Sequence, residues 1–180
     1  MIFFKEQQRF NQWWIWGLLG MTDLIILLNF GHAYYEQLLL GNPWGDKPMP
    51  GTGLILSSLF AFTVLIVVNA LIFGTSLETK IDKNHIQYRF FPYVRRWKKV
   101  DRTDLEEAYV RKYSPISEFG GWGYRALLRN SNKALNIKGN MGLQLVFKND
   151  KRLLLGTQKP DQLKEVMKKF MNPANPADHG

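Results

Sequence analysis

The residue in this sequence that most clearly suggests a chemical role is Asp23, a carboxylic acid inside an apolar run that covers residues 13–35. At the centre of a bilayer a carboxylate costs on the order of 3 kcal/mol unless it is protonated or paired. Two roles fit such a residue, a proton or ion relay and a polar contact that assembles helices. A relay needs a chain of ionisable groups, and none accompanies Asp23, so the assembly role is favoured. Ser58 and Thr63, in the next apolar run, are the expected hydrogen-bond partners.

A second candidate site is a basic cluster, Arg95, Arg96, Lys98 and Lys99, which encloses Trp97. Each basic residue close to an anionic membrane is worth about 1 kcal/mol, so the cluster indicates a surface for lipid headgroups or for a partner. An equally consistent interpretation has Trp97 packing inward on a strand while the charges are only solvated. Nucleic-acid binding is not expected, because the sequence lacks the several aromatic stacking platforms that it needs.

A third candidate is the glycine-rich segment GGWGYR at residues 120–125. Its glycines leave backbone N–H groups accessible, as in phosphate-binding loops. It lacks the Lys-Ser/Thr ending of a P-loop and does not open a helix. Glycines that permit a bend or bulge at the start of a strand are therefore the favoured interpretation. Arg125 joins the candidate ligand or partner surface, or else pairs with Glu106 or Glu107.

No pattern in the sequence is typical of an enzyme. The chain has no cysteine, which excludes disulfides, thiolate metal sites and a cysteine nucleophile. His32, His85 and His179 are dispersed without metal-ligand spacing, and no nucleophile motif lies near a base. We therefore expect a non-enzymatic protein with no catalytic residue, metal, cofactor or small-molecule substrate.

Two apolar runs predict the transmembrane helices that carry the intramembrane residues. Residues 51–74 contain no charge, and 24 residues of helix cover about 36 Å, more than the ~30 Å of a hydrocarbon core. The first span, at about residues 13–34, is bracketed by tryptophans and tyrosines as at bilayer interfaces. A cleaved signal peptide is the alternative, but the length of the run, its internal Asp23 and its aromatic flanks argue against it. Residues 36–50, rich in Gly and Pro, form the connecting loop.

The distribution of charge predicts the orientation of these spans. Residues 75–180 hold 21 Lys and Arg against 11 Asp and Glu, a balance of +10, whereas the loop at 36–50 carries one Lys. Because positive charge stays on the cytoplasmic side, both termini should be cytoplasmic and the loop external. The expected location is the cell (inner) membrane, with residues 1–74 as the anchor.

Residues 75–172 predict a mainly-β domain. Six to eight short antiparallel strands, separated by turn residues, precede a helix with apolar residues spaced i, i+3, i+4 and i+7. Those apolar residues are Leu163, Val166, Met167 and Phe170. The order fits a small bent barrel or sandwich whose open end is closed by the helix, followed by a disordered tail at 173–180.

Several segments resemble bacterial membrane proteins with a cytoplasmic pleckstrin-homology-like (bacterial PH) domain. GGWGYR at 120–125, NIKGN at 136–140 and GTQKP at 156–160 are similar to the family's Gly-rich strand start, mid-domain turn and strand-to-helix junction. QRFNQ at 8–12 and PWGDKP at 43–48 are similar to members with a two-helix anchor.

This resemblance implies a partly open, seven-stranded barrel capped by a C-terminal helix, with no known catalytic residues and a binding or scaffolding role. Tyr124 stands where an aliphatic residue is more usual, and an aromatic ring there is expected to fill the core. The resulting expectation is a membrane-anchored scaffold that presents a basic PH-like domain for protein–protein assembly, with a protein partner or a second copy of itself. An anionic-lipid headgroup sensor is the alternative. A transport or enzyme component using Asp23 is less favoured.

Overall fold

The structure, a computed structural model, describes residues 2–126 and 132–172. It divides into two compact units. The helical unit covers residues 11–73, and the β unit combines residues 2–10 with the chain from residue 74 onward. The predicted disordered tail at 173–180 lies outside the described residues.

The helical unit contains two long helices at the positions that the apolar runs predict. Helix α1 covers Trp13–Tyr34 and continues as a π-helix, Tyr35–Leu39, while α2 covers Gly51–Gly74. Both are long and apolar enough to cross a membrane. Few of their residues are buried within the chain, as suits helices surrounded by hydrocarbon.

Strand β1, Ile2–Arg9, is an element that the sequence did not reveal, since these residues were assigned to the lead of the anchor. It pairs antiparallel with β2, Ser76–Asp82, on the far side of both long helices in the sequence. Its inward side chains are Phe4, Glu6 and Gln8. Because two of the three are polar, the usual alternation of apolar and polar residues is missing.

The β unit contains two sheets. The first has four antiparallel strands in chain order: β1, β2, β3 (His85–Phe91) and β4 (Val94–Asp101). The second has five strands in the order β5-β8-β9-β7-β6. These are β5 (Leu105–Lys112), β6 (Gly123–Ala126), β7 (Asn132–Asn136), β8 (Met141–Phe147) and β9 (Arg152–Gly156).

Two features of these sheets differ from the prediction. The described residues form nine strands rather than six to eight, because β1 adds to the first sheet. The strands are also not all antiparallel, since β7 and β9 pair in parallel.

The larger of two hydrophobic clusters in the described residues lies between the two sheets and is covered by α4, Pro160–Met171. The first sheet contributes Phe4, Leu77, Ile81, Ile86, Phe90 and Val100, and the second Leu105, Leu135, Leu143, Leu145, Leu153 and Leu155. On α4, Leu163, Met167 and Phe170 are buried and Val166 packs beside them, which confirms the predicted apolar face.

The described residues form no closed barrel, and the partly open, seven-stranded barrel that the resemblance implies is not confirmed. A short 3-10 turn, Arg102–Asp104, separates β4 from β5, and these strands pair only with β3 and β8, respectively. The sheets therefore meet through side chains rather than through a continuous ladder of backbone hydrogen bonds. The coarser prediction, a mainly-β domain with a C-terminal helix, is confirmed.

Candidate functional site

The basic cluster lies on β4, at an edge of the four-stranded sheet. Val94 and Val100 pack against the core, so the alternating residues Arg95, Trp97 and Lys99 project from the opposite, outer side of the sheet. We call this side the Trp97 face, and it includes Lys80 of β2 and Arg89 of β3. The cluster is thus divided between the two sides of the strand. Arg96 and Lys98 alternate with the residues of the Trp97 face, although both are exposed.

Trp97 is the centre of the face. The Lys80 Nζ lies 4.1 Å from the centroid of the indole ring, and the Arg89 Cζ lies 4.9 Å from it. Such cation–π contacts are worth about 0.5–1 kcal/mol each at exposed sites. The interpretation in which Trp97 packs into the core is therefore wrong, since the half-buried ring supports cations on the outer side.

Acidic residues neutralise part of the Trp97 face. The Arg89 Nη2 lies 2.6 Å from the Glu78 Oε1, and the Lys99 Nζ lies 3.5 Å from the Asp101 Oδ1. Within the described chain, no carboxylate is paired with Arg95. The face thus combines fixed ion pairs with at least one cation that is available to a partner.

The turn between β2 and β3 carries a hydrogen-bonded carboxylate. The Asp82 Oδ1 accepts hydrogen bonds of 2.9 Å from the backbone N–H groups of Asn84 and His85. The His85 Nδ1 lies 3.0 Å away. Partial burial opposes ionisation, but the two N–H donors and the nearby imidazole outweigh it and hold the pKa of Asp82 below its usual range.

The turn between β3 and β4 exposes two aromatic side chains next to the basic cluster. Phe91 is 43% exposed and Tyr93 62%, and the Arg95 Cζ lies 6.0 Å from the centroid of the Phe91 ring. An open groove of about 350 Å³ beside them is lined by Pro92, Tyr93, Val94, Arg95, Arg96 and Lys98. Exposed aromatic and basic side chains therefore occur together at this turn.

Arg125 lies on the other sheet, in β6, and not in the cluster on β4. Its Nε donates a 3.1 Å hydrogen bond to the Trp122 carbonyl, and its guanidinium folds over Gly121. Among the described residues it forms no ion pair with Glu106 or Glu107. The other predicted role of Arg125, in a surface for a ligand or partner, stays a prediction.

The glycine-rich segment before β6 forms a bend. Gly121 and Gly123 have φ angles of 122° and 114°, which side chains rarely allow, and the Gly123 N–H donates to the Asn136 Oδ1. Tyr124 is 37% exposed and stacks on Tyr93, with ring centroids 5.8 Å apart. Its ring therefore lies at the margin of the core rather than filling it as expected.

In the helical unit, Asp23 is paired with Asn69. The Asn69 Nδ2 lies 3.3 and 3.2 Å from the two carboxylate oxygens of Asp23, and it also donates to the Leu65 carbonyl at 3.0 Å. The expected partners are engaged elsewhere. Ser58 bonds to Tyr34, and Thr63 donates to the Leu59 carbonyl of its own helix.

The register of the two helices explains why sequence reasoning missed Asn69. From Asp23–Asn69 to the ring contact Phe30–Phe62, the position advances seven residues along α1 and retreats seven along α2. The bond between Tyr34 and Ser58 continues the same antiparallel register. Ser58 and Thr63 are the predicted partners if the two helices meet at their midpoints, whereas Asp23 pairs with Asn69, near the C-terminal end of α2. The available signal was an amide side chain in an otherwise apolar stretch.

Comparison with known proteins yields no match for this chain among protein-family models, curated proteins or solved structures. The likeness to bacterial PH-domain proteins therefore stays a hypothesis. Among the described residues, no three His, Asp or Glu side chains form a group that could hold a metal ion.

Proposed function

We propose that this chain is a membrane-anchored, non-enzymatic scaffold whose Trp97 face binds an acidic protein surface at the cytoplasmic side of the cell membrane. The observation that carries the proposal is the ring of Trp97 beneath two cations, on an exposed sheet face that is rich in basic side chains. In this proposal the β unit is a variant of the PH-like domain in which two separate sheets replace the partly open barrel.

The orientation follows from charge and from strand pairing. The excess of Lys and Arg after α2 favours the cytoplasm for the β unit. Because β1 pairs with β2, residues 2–9 and 76–82 belong on the same side of a membrane that α1 and α2 cross. An even number of membrane crossings between β1 and β2 meets this requirement, and α1 and α2 provide two.

The side chains of the Trp97 face favour a protein as its partner. Tryptophan and arginine are enriched at the energetic centres of protein–protein interfaces. The ion pair between Arg89 and Glu78 gives the face both signs of charge, which suits a patterned partner surface better than a uniformly anionic one. The basic side chains of β4 disfavour strand addition at its edge, so the partner docks on the face of the sheet.

Site-specific photocrosslinking of the full-length protein in native membranes tests the proposal. A photoreactive residue at position 95 or 99 should give a discrete protein adduct, because these positions border Trp97. The matched control is position 112, where Lys112 is equally basic and exposed but belongs to the other sheet. Trp97→Ala should reduce the adduct at 95. Adducts of equal yield at 95 and 112, or adducts with phospholipid alone, would reject the protein-binding role.

A second candidate, binding of anionic lipid headgroups, is favoured by the exposed turn between β3 and β4. Phe91 pairs with Ser76, which follows the last residue of α2 by only two positions. Aromatic side chains at a bilayer interface and adjacent basic residues both contribute to membrane contact. Phe91 and Tyr93 could therefore enter the interface while Arg95 and Arg96 meet the headgroups.

Full-length protein in nanodiscs distinguishes this candidate. In anionic discs, quenchers attached to lipid headgroups should reach a fluorophore at position 93 but not one at position 112. High salt should lower the quenching at 93, because screened charges attract less. Equal quenching in neutral and anionic discs would remove anionic headgroups as the ligand.

A further inference from the structure

A groove of about 700 Å³ opens between the two long helices at the Asp23–Asn69 pair. Its lining consists of the two polar residues and five apolar ones, Leu24, Leu27, Phe62, Leu65 and Ile66. Asp23 and Asn69 are only half-buried, and both line this groove. The polar pair therefore faces the surroundings of the helices rather than a closed interior.

In a bilayer those surroundings are hydrocarbon, where an exposed carboxyl group is costly. The Asn69 amide N–H₂ group is used within the chain, on Asp23 and on the Leu65 carbonyl. A carboxyl group has capacity for further hydrogen bonds, and the amide oxygen of an asparagine is an acceptor with two lone pairs. The pair thus combines apolar walls with polar groups that have bonding capacity left on the open side.

We propose that a second copy of this chain covers the groove, so that two helix pairs pack face to face with their Asp23 and Asn69 side chains in contact. A twofold contact brings the same patch of both copies together, so the patch must be complementary to itself. Asp23 and Asn69 meet this condition when the carboxyl group is protonated, because its O–H is then a donor and the Asn69 amide oxygen of the other copy is an acceptor. Hydrogen bonds of this kind promote helix association in membranes.

Other occupants satisfy the groove less well. An acyl chain would match the apolar walls but would leave the polar pair without partners. A cation would find one carboxylate, and no metal-binding group is present among the described residues. A second copy meets both needs at once, whatever binds the Trp97 face.

The absence of cysteine from the chain allows a direct test with single-cysteine variants of the full-length protein. Leu24→Cys and Ile66→Cys place a thiol on the groove. Ile25→Cys and Val67→Cys are matched controls, since their side chains are similarly exposed, at 56% and 50%, but do not line it. A short bismaleimide reagent in native membranes should give a dimer at the groove positions and little at the controls. Equal crosslinking at both sets, or a monomer throughout, would overturn the proposal.

A second set of variants tests the polar pair itself. Asp23→Leu should weaken dimerisation about tenfold, the scale of one interhelical hydrogen bond, in energy-transfer titrations against lipid-to-protein ratio. Asp23→Asn should retain most of it, because an amide still bonds. Thr63→Val is the control, since that hydroxyl is used within its own helix. A dimer unchanged by Asp23→Leu would contradict the proposed contact.

These results are separable from those at the Trp97 face. A monomer at all groove positions with an adduct at position 95 would reject only the proposed dimer. Loss of the adduct with an unchanged dimer would reject only the acidic partner.

Discussion

One side chain lies at the centre of each proposed binding surface, and Trp97 is the clearer case. Its ring supports Lys80 and Arg89 from two neighbouring strands, so it fixes the positions of cations that would otherwise move freely. Trp97→Ala should lower the free energy of unfolding of the full-length protein by about 1–2 kcal/mol through the lost cation–π contacts. Trp97→Phe should cost less, because an aromatic face remains. Thermal unfolding in detergent micelles measures both, and equal losses would show that an aromatic face at this position does not contribute to stability.

A pH-dependent contact lies between β5 and the short helix α3, Pro115–Phe119. The Arg111 Nη2 donates a 2.8 Å hydrogen bond to the Glu118 Oε2, and this is the main reason that the pKa of Glu118 lies below its usual range. Because the folded-state pKa is lowered, the contribution to stability is present above the unfolded-state pKa, about 4.3, and is lost as pH falls through the folded-state value.

Glu118→Gln should therefore reduce the melting temperature at neutral pH, and the difference from the parent protein should shrink in acid. Melting curves at about pH 7 and about pH 3.5 measure this change across the titration of the carboxyl group. Glu106→Gln is the control, since Glu106 is exposed and forms no ion pair among the described residues. A constant difference at both pH values would show that the charge of Glu118 does not contribute.

Among the elements, those with a regular apolar pattern were predictable from the sequence, and β1 was not. The two long helices and α4 have uninterrupted or periodic apolar faces, so their positions follow from the sequence. Strand β1 instead turns Glu6 and Gln8 inward, where hydrogen bonds to residues about 150 positions away stabilise them. The role of Asn69 was not predicted for the same reason, because it depends on Asp23, which lies in another helix.

The polar side of β1 makes a prediction at this scale. Glu6 is 6% exposed and accepts hydrogen bonds of 2.7 Å from the Thr157 hydroxyl and the Gln158 N–H. Glu6→Ala should destabilise the full-length protein by about 2 kcal/mol, because one buried and one partly buried donor lose their acceptor. Gln7→Ala, on the exposed side of the same strand, should change stability little. Thermal unfolding checks both, and similar effects would mean that the buried bonds are not needed.

At the scale of the whole molecule, the two long apolar helices occupy the place of a hairpin turn in the sequence. Arg9 at the end of β1 pairs with Ser76 at the start of β2, so residues 10–75 connect two adjacent antiparallel strands. Replacing residues 10–75 by an Asn-Gly turn should give a soluble β unit, because that dipeptide suits two-residue hairpins. Circular dichroism and a cooperative melt measure folding. Residues 75–172 alone, which lack β1, are the control and should fail to unfold cooperatively, whereas equal folding of both would show that β1 is dispensable.

The connections between the two units are short. Three residues, 10–12, join β1 to α1, and a single residue, Thr75, joins α2 to β2. A fully extended chain covers at most ~3.6 Å per residue, so three residues reach about 11 Å. If α1 and α2 cross a membrane as proposed, connections of this length keep any partner that the β unit binds close to the membrane surface.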